Sequence, residues 1–138
     1  SDERQYCAPG VDLPISSITR SKYGEYPEYH TSLDDFKVVT DKGLNESLNI
    51  YLKCIDVFEK NLFSPKIKTL CEPQLGKRGL YPNLSSKKTH LQTRNMMNFI
   101  SYSDGSNTIL QIAKLCEIDF FEAYDYFIKL NNENLLDY

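Results

Sequence analysis

The stretch Asn107-Thr108-Ile109-Leu110-Gln111-Ile112-Ala113-Lys114-Leu115-Cys116-Glu117-Ile118-Asp119-Phe120-Phe121-Glu122-Ala123-Tyr124-Asp125-Tyr126-Phe127-Ile128 decides the fold of the C-terminal half. Ile109, Ile112, Ala113 and Cys116 keep the i, i+3, i+4, i+7 spacing of one helix face turned to a core. Glu117-Ile118-Asp119 breaks that period, and Phe120, Ala123, Tyr124, Phe127 and Ile128 resume it, with Asp119 placed to cap the second helix. Two helices joined by so short a turn read as helix-turn-helix, and Leu135-Leu136, after the Asn131-Asn132-Glu133-Asn134 turn, reads as the start of a wing strand. Just upstream, Gln92, Met96, Phe99 and Ile100 form another helix face, capped by Thr89 and ended by Ser103-Asp104-Gly105-Ser106, with Asn107 or Ser106 as the next cap. Residues 89–138 are thus expected to form a mainly α winged helix-turn-helix domain.

Moving toward the N-terminus, residues 65–88 carry Pro65, Pro73, Gly76, Gly79 and Pro82 and read as a linker or irregular hairpin over a domain boundary. From Lys60 to Arg94 eight basic residues stand against one acidic, Glu72, a composition fitting solvated lysines more readily than a binding patch. Before it, Leu44, Leu48, Tyr51, Leu52, Ile55, Phe58 and Leu62 form one stripe of a long amphipathic helix, capped by Thr40 or Asp41 and stopped by Ser64-Pro65. Residues 1–40 are rich in turns, with a single strand signal at Leu13–Thr19. The expected division is 1–64, an α/β segment of strand, loop and long helix; 65–88, the connection; and 89–138, the winged helix.

The composition, 138 residues with 41% apolar and 25% charged, fits a globular chain and excludes a low-complexity or disulfide-framework protein. A net charge of −3 gives no overall footprint for nucleic acid or an anionic membrane, and no apolar run approaches the ~20 residues of a spanning helix. Charge also opposes DNA binding locally: from Glu117 to Tyr138 six acidic residues face one basic, Lys129. Cys7, Cys54, Cys71 and Cys116 lack a C-x-x-C pair and are expected as free, mostly buried thiols in a reducing, cytoplasmic compartment. The first residue is Ser1, inside what reads as a motif, so a processed or truncated N-terminus is expected.

Two histidines are too few for a self-contained His-rich metal site, and no Ser/His/Asp or Cys/His spacing marks a nucleophile. His90 sits in a Lys-rich stretch and reads as a surface residue. His30, in Tyr29-His30-Thr31-Ser32-Leu33-Asp34-Asp35, stands on a loop before the long helix, where a chain presents side chains to a site; on spacing alone it reads as structural or as a metal ligand.

Ser1-Asp2-Glu3, Tyr6, Gly10-Val11 and Pro14, followed by Tyr29-His30-Thr31 and Asp34, resemble the closing part of the catalytic domain of zinc-dependent aminopeptidases of the dizinc exopeptidase superfamily, which includes glutaminyl cyclases. The stretches 1–10, 20–35 and Cys71 to Pro82 resemble more closely a bacterial aminopeptidase-like branch, with an inserted domain of unknown function and a C-terminal winged helix-turn-helix; some of its members are labelled polysaccharide biosynthesis proteins. The resemblance implies that residues 1–64 are the last strand, loop and helix of a zinc-peptidase αβα domain. It implies that His30 is a zinc ligand and that Asp2 lies beside the metal centre and helps orient it, although Asp2 also reads as a turn or capping carboxylate. Glu3 departs from the His found at its place across the superfamily. Asp34 is expected to order the loop behind His30.

In such enzymes zinc polarises the substrate carbonyl and supplies hydroxide, with roughly five ligands and a glutamate base. None of the other ligand motifs occurs in these residues, so the chain alone is expected not to hydrolyse peptides. The implied partners of the longer enzyme are a peptide or aminoacyl-type small substrate, the rest of the peptidase domain and a second copy of the protein, with no nucleic acid and no membrane. The rival readings are a non-enzymatic protein-interaction module and, more weakly, a DNA-binding regulator.

Overall fold

In the computed structural model of the chain, residues 2–81 and 87–138 are described, residues 87–89 by their backbone alone. Ser1, Pro82 and the side chains of Lys87, Lys88 and Thr89, which enter the expectations above, lie outside the described residues. The elements run α1 (Asp2–Tyr6), α2 (Asp41–Lys60), β1 (Lys66–Ile67), a short 3-10 turn (Gly76–Arg78), α3 (Lys87–Ser101), α4 (Ile109–Leu115), α5 (Phe120–Asn132) and β2 (Leu136–Asp137). The chain divides into two compact units, Ser1–Tyr51 and Leu52–Tyr138.

The second unit is built around the helix-turn-helix. Thr108, not Asn107 or Ser106, caps α4: its hydroxyl accepts from Gln111 N while Gln111 Oε1 accepts from Thr108 N, a reciprocal capping box. Asp119 caps α5 as its position predicts, accepting from Phe121 N at 2.8 Å. Between them the chain reverses through Glu117 at φ 55°, with Ile118 N donating to Ala113 O and Glu117 N to Lys114 O, a Schellman closure. Helix α5 ends the same way on Asn134 at φ 54°.

Phe99 of α3, Ile109 and Ile112 of α4, and Ala123 and Leu130 of α5 are fully inaccessible and form the centre of the core. On α5 the buried face is Phe120, Ala123, Tyr126, Phe127 and Leu130, while Tyr124 and Ile128, expected inside, are half-buried. Gln92, expected on the buried face of α3, is exposed, and Asn95 is buried instead. Helix α3 begins at Lys87, two residues ahead of the expected Thr89 cap.

Residues 65–68 lie between two chain segments. Ile67 N donates to Ser103 O at 2.8 Å, Lys68 N to Leu135 O at 3.0 Å, and β1 pairs antiparallel with β2, Ile67 opposite Leu136. The wing strand therefore forms, with its partner drawn from the segment read as a linker. Pro65, Pro73 and Leu75 of that segment are buried, Leu75 at 1% exposure, because the turns that read as flexible punctuation fold an apolar residue back onto the core.

The first unit is different in kind. Thr40 caps α2, accepting from Gly43 N at 3.1 Å. The loop before it is tied to the helix by polar contacts: Arg20 pairs with Glu46 at 3.2 Å and lies over Gly43, where a Cβ would collide with the guanidinium, and Tyr51 Oη donates to Ile18 O at 3.1 Å. Among the described residues Gly43 alone is buried in this unit. Leu13–Thr19, expected as a strand, is irregular, its Leu13 N donating to Tyr6 O and Ile15 N to Leu13 O, and among the described residues no strand pairs with it to build a ladder.

Candidate functional site

His30 stands on a loop of successive tight turns. Tyr29 N donates to Tyr26 O, Thr31 N to Glu28 O and Asp34 N to Thr31 O, so the chain coils through 26–34 without a regular element. His30 itself sits at φ 56°, a left-handed conformation costly for a side chain with a Cβ, and its exposed ring stacks on Tyr29 with centroids 4.1 Å apart. Tyr29 in turn meets Tyr26 edge-on at 5.6 Å and Tyr23 at 6.1 Å. Among the described residues Asp34 has no side-chain hydrogen-bond partner; its neighbour Asp35 closes the turn by accepting from Lys37 N at 2.8 Å. Asp2 is exposed in the first turn of α1, where a carboxylate favours the helix dipole, and no hydrogen bond or ion pair joins it to His30. His90 is exposed on α3.

A protein zinc site needs three or four donors at about 2.0–2.3 Å. Among the described residues no three His, Cys, Asp or Glu side chains are grouped to hold a metal ion. The described residues therefore do not make a metal site by themselves. The four cysteines are free, as expected, but none is buried: Cys7 and Cys71 are exposed, and Cys54 and Cys116 half-buried. Partial burial pushes the Cys116 thiol up from its usual range.

The second unit holds an arrangement that no local spacing announces. Glu122 of α5 accepts hydrogen bonds on Oε1 from Asn95 Nδ2 of α3 at 2.9 Å and from Tyr126 Oη at 2.6 Å. The phenol also lies 3.2 Å from Gln92 O, but its single proton serves the shorter, charge-assisted bond. Burial first, and then the Glu122 carboxylate, push the Tyr126 phenol well above its ordinary value, so it is held neutral and donating. Asp125 and Lys129 pair at 2.6 Å at the rim, with the ammonium 5.9 Å from the Tyr126 ring centre. Gln92, Glu122, Asp125, Tyr126 and Lys129 line a cleft of about 310 Å³ between α3, α5 and the Gly79–Tyr81 turn. The Glu122–Tyr126 step spans i to i+4 on one helix, but Asn95 lies 27 residues away from Glu122.

The basic stretch from Lys60 is partly neutralised. Lys60 pairs with Asp56 at 3.0 Å and approaches the rings of Phe121 and Tyr124, and Lys68 binds Asn134 and Asp137. Residues 64–138 match the family model described as winged helix-turn-helix. The chain belongs to the winged helix-turn-helix family.

Outside that domain, residues 1–61 match a model described as Domain of unknown function (DUF4910). The chain is 38% identical over 121 residues to a Clostridium acetobutylicum protein provisionally named polysaccharide biosynthesis protein with aminopeptidase-like domain, covering 87% of this chain and 28% of that protein. It is similar to a crystal structure from Clostridium acetobutylicum, provisionally described as a peptidase, at 34% identity and a TM-score of 0.83 over 99% of this chain and 29% of that one. The winged-helix chain thus spans less than a third of the length of these aminopeptidase-like relatives. No helix among the described residues is long and apolar enough to cross a membrane.

Proposed function

We propose that this chain is the C-terminal portion of a zinc-dependent aminopeptidase-like exopeptidase, in which residues 1–64 complete the peptidase domain and the winged helix serves as a docking or oligomerisation module. The observation that carries the reading is the apolar surface of the first unit. Phe36 is 91% exposed, Leu33 62%, Leu44 60% and Leu48 55%, while among the described residues no apolar side chain of this unit is buried. Apolar area of this density is favoured only when another surface covers it. The similarity to aminopeptidase-like proteins of more than three times this length supports the rest of a peptidase domain as that surface.

Within that longer protein His30 is assigned as one zinc ligand, its partners coming from outside these residues, and Asp2 as a carboxylate that helps orient the metal centre. Zinc there would supply Lewis-acid activation of a peptide or aminoacyl carbonyl. Zinc analysis of the longer protein with and without His30→Ala tests the ligand: loss of metal from the variant supports it, and unchanged zinc content overturns it. Chelator-sensitive hydrolysis of aminoacyl chromogenic substrates supports the exopeptidase; its absence in the zinc-loaded protein favours a non-enzymatic module.

The reading of the winged helix as a docking module rests on α5. Glu122 is half-buried in the cleft against α3, Asp125 is exposed, and the one basic residue of α5, Lys129, is already paired with Asp125. A groove-reading helix meets phosphate, and this one would bring carboxylates to it. Tight, salt-sensitive binding of duplex DNA in a gel shift overturns this reading.

A further inference from the structure

The cleft between α3 and α5 carries chemistry that the peptidase reading does not use. Two donors converge on a single oxygen of Glu122, and both are anchored in the core, Asn95 at 9% exposure and Tyr126 at 3%. Paired donors on Oε1 restrict the carboxylate to one orientation, so its charge is presented without the side-chain freedom of an ordinary surface glutamate. Among the described residues Oε2 has no hydrogen-bond partner. Beside it stand Asp125 and Lys129, bound to each other, so the cleft keeps one net negative charge. The rest of its lining combines Leu80, Tyr81 and Met96, mainly apolar, with Gly79, Gln92 and Thr93.

This combination selects among ligands. An anion is repelled. A bare divalent cation needs six or more oxygens, about, and finds two carboxylates of which one is already engaged. A neutral apolar group leaves the fixed charge of Glu122 desolvated and unpaired, which costs affinity. A cation on an aliphatic stem satisfies both features, since its methylenes lie along apolar wall while its head reaches the carboxylate. The volume, about 310 Å³, stands at the low end of the ~300–1,000 Å³ of ligand clefts and suits one long side chain.

We infer that this cleft docks a lysine or arginine side chain presented by a protein partner, with the cationic head on Glu122 and the stem against Leu80, Tyr81 and Met96. The inference rests on the winged helix being a docking module and adds the chemistry of what it docks. The test is fluorescence anisotropy of the 138-residue chain with three labelled, N-acetylated peptides, otherwise neutral, whose central residue is arginine, lysine or citrulline, the neutral counterpart of arginine. Expected are saturable binding of the arginine and lysine peptides, little for citrulline, and a loss of about tenfold or more in Glu122→Gln. Glu117→Gln, which removes the same charge from an exposed turn of the same domain, is expected to stay within about twofold. Equal binding of the citrulline peptide, or equal weakening by both variants, overturns the inference. Because Glu122→Gln also disturbs the Asn95 and Tyr126 bonds, amide chemical shifts of the unmodified chain give a second readout: shifts on titration are expected at Gln92, Thr93, Glu122 and Asp125, and shifts confined elsewhere overturn it. Failure of all three peptides to bind removes the cleft proposal and leaves the docking-module reading, which fails separately if the domain binds duplex DNA.

Discussion

In residues 52–138, Phe99, Ile109, Ile112 and Leu130 have no contact with water, whereas in residues 2–51 Leu33, Phe36, Leu44 and Leu48 are more than half exposed. Both regions are supplied with apolar residues; they differ in whether those residues meet one another within the unit. The second unit closes a core between three helices and seals it with a two-stranded seam. The first is held by Arg20 on Glu46, Tyr51 on Ile18 and a train of turns, which fix a path but bury little. An exposed ion pair contributes about 0–1 kcal/mol, far less than a buried aromatic side chain. A closed core and an apolar surface open to solvent therefore sit in one chain.

The largest predicted effect probes that contrast directly. Phe99→Ala empties the centre of the helical core and is expected to cost about 3–5 kcal/mol in denaturant unfolding, whereas Phe36→Ala, at an exposed site, is expected to stay within about 0.5 kcal/mol. A Phe36→Ala cost near that of Phe99→Ala breaks the comparison. Next in size is Tyr126→Phe, which removes one of the two donors to Glu122 and is expected to cost about 1–3 kcal/mol. The same phenol gives a pH signature. Because its folded value is raised, the stability tied to its neutral form is fully present below the unfolded phenol's value of about 10 and is lost as pH rises above it. Absorbance titration should show one tyrosine ionising later than the rest, and that component should vanish in Tyr126→Phe.

Thr108→Ala loses the capping box of α4 and is expected to cost about 1 kcal/mol. Glu117→Gly relieves a left-handed conformation and is expected to raise stability by about 0.5–1 kcal/mol, the smallest effect, read as a small rise in melting temperature.

Local regularity decided how much of this was legible. The α4 and α5 stripes, the Asp119 cap and the start of α2 at Thr40 follow from spacing and side-chain chemistry within a few residues. The Thr108-x-x-Gln111 box was also present in the sequence, but Ser106 and Asn107 offered equally good caps. Leu75 was not legible, because nothing in a turn-rich segment says which apolar residue folds inward. Lys66–Ile67 is too short to show alternation, and Leu13–Thr19, a short stretch bounded by turn residues, has no partner strand among the described residues. The Glu122 cleft depends on Asn95 across a helix pair, a tertiary fact. His30 could be singled out by its loop and by resemblance, and the structure adds its stacking on Tyr29 and its left-handed backbone.

The most direct test of the account is hydrogen exchange of the 138-residue chain, followed peptide by peptide. Slow, cooperative exchange across α3, α4 and α5 together with rapid exchange through residues 8–40 is the predicted result. Protection of residues 8–40 equal to that of the helical core contradicts it, since those residues would then belong to a closed core of their own.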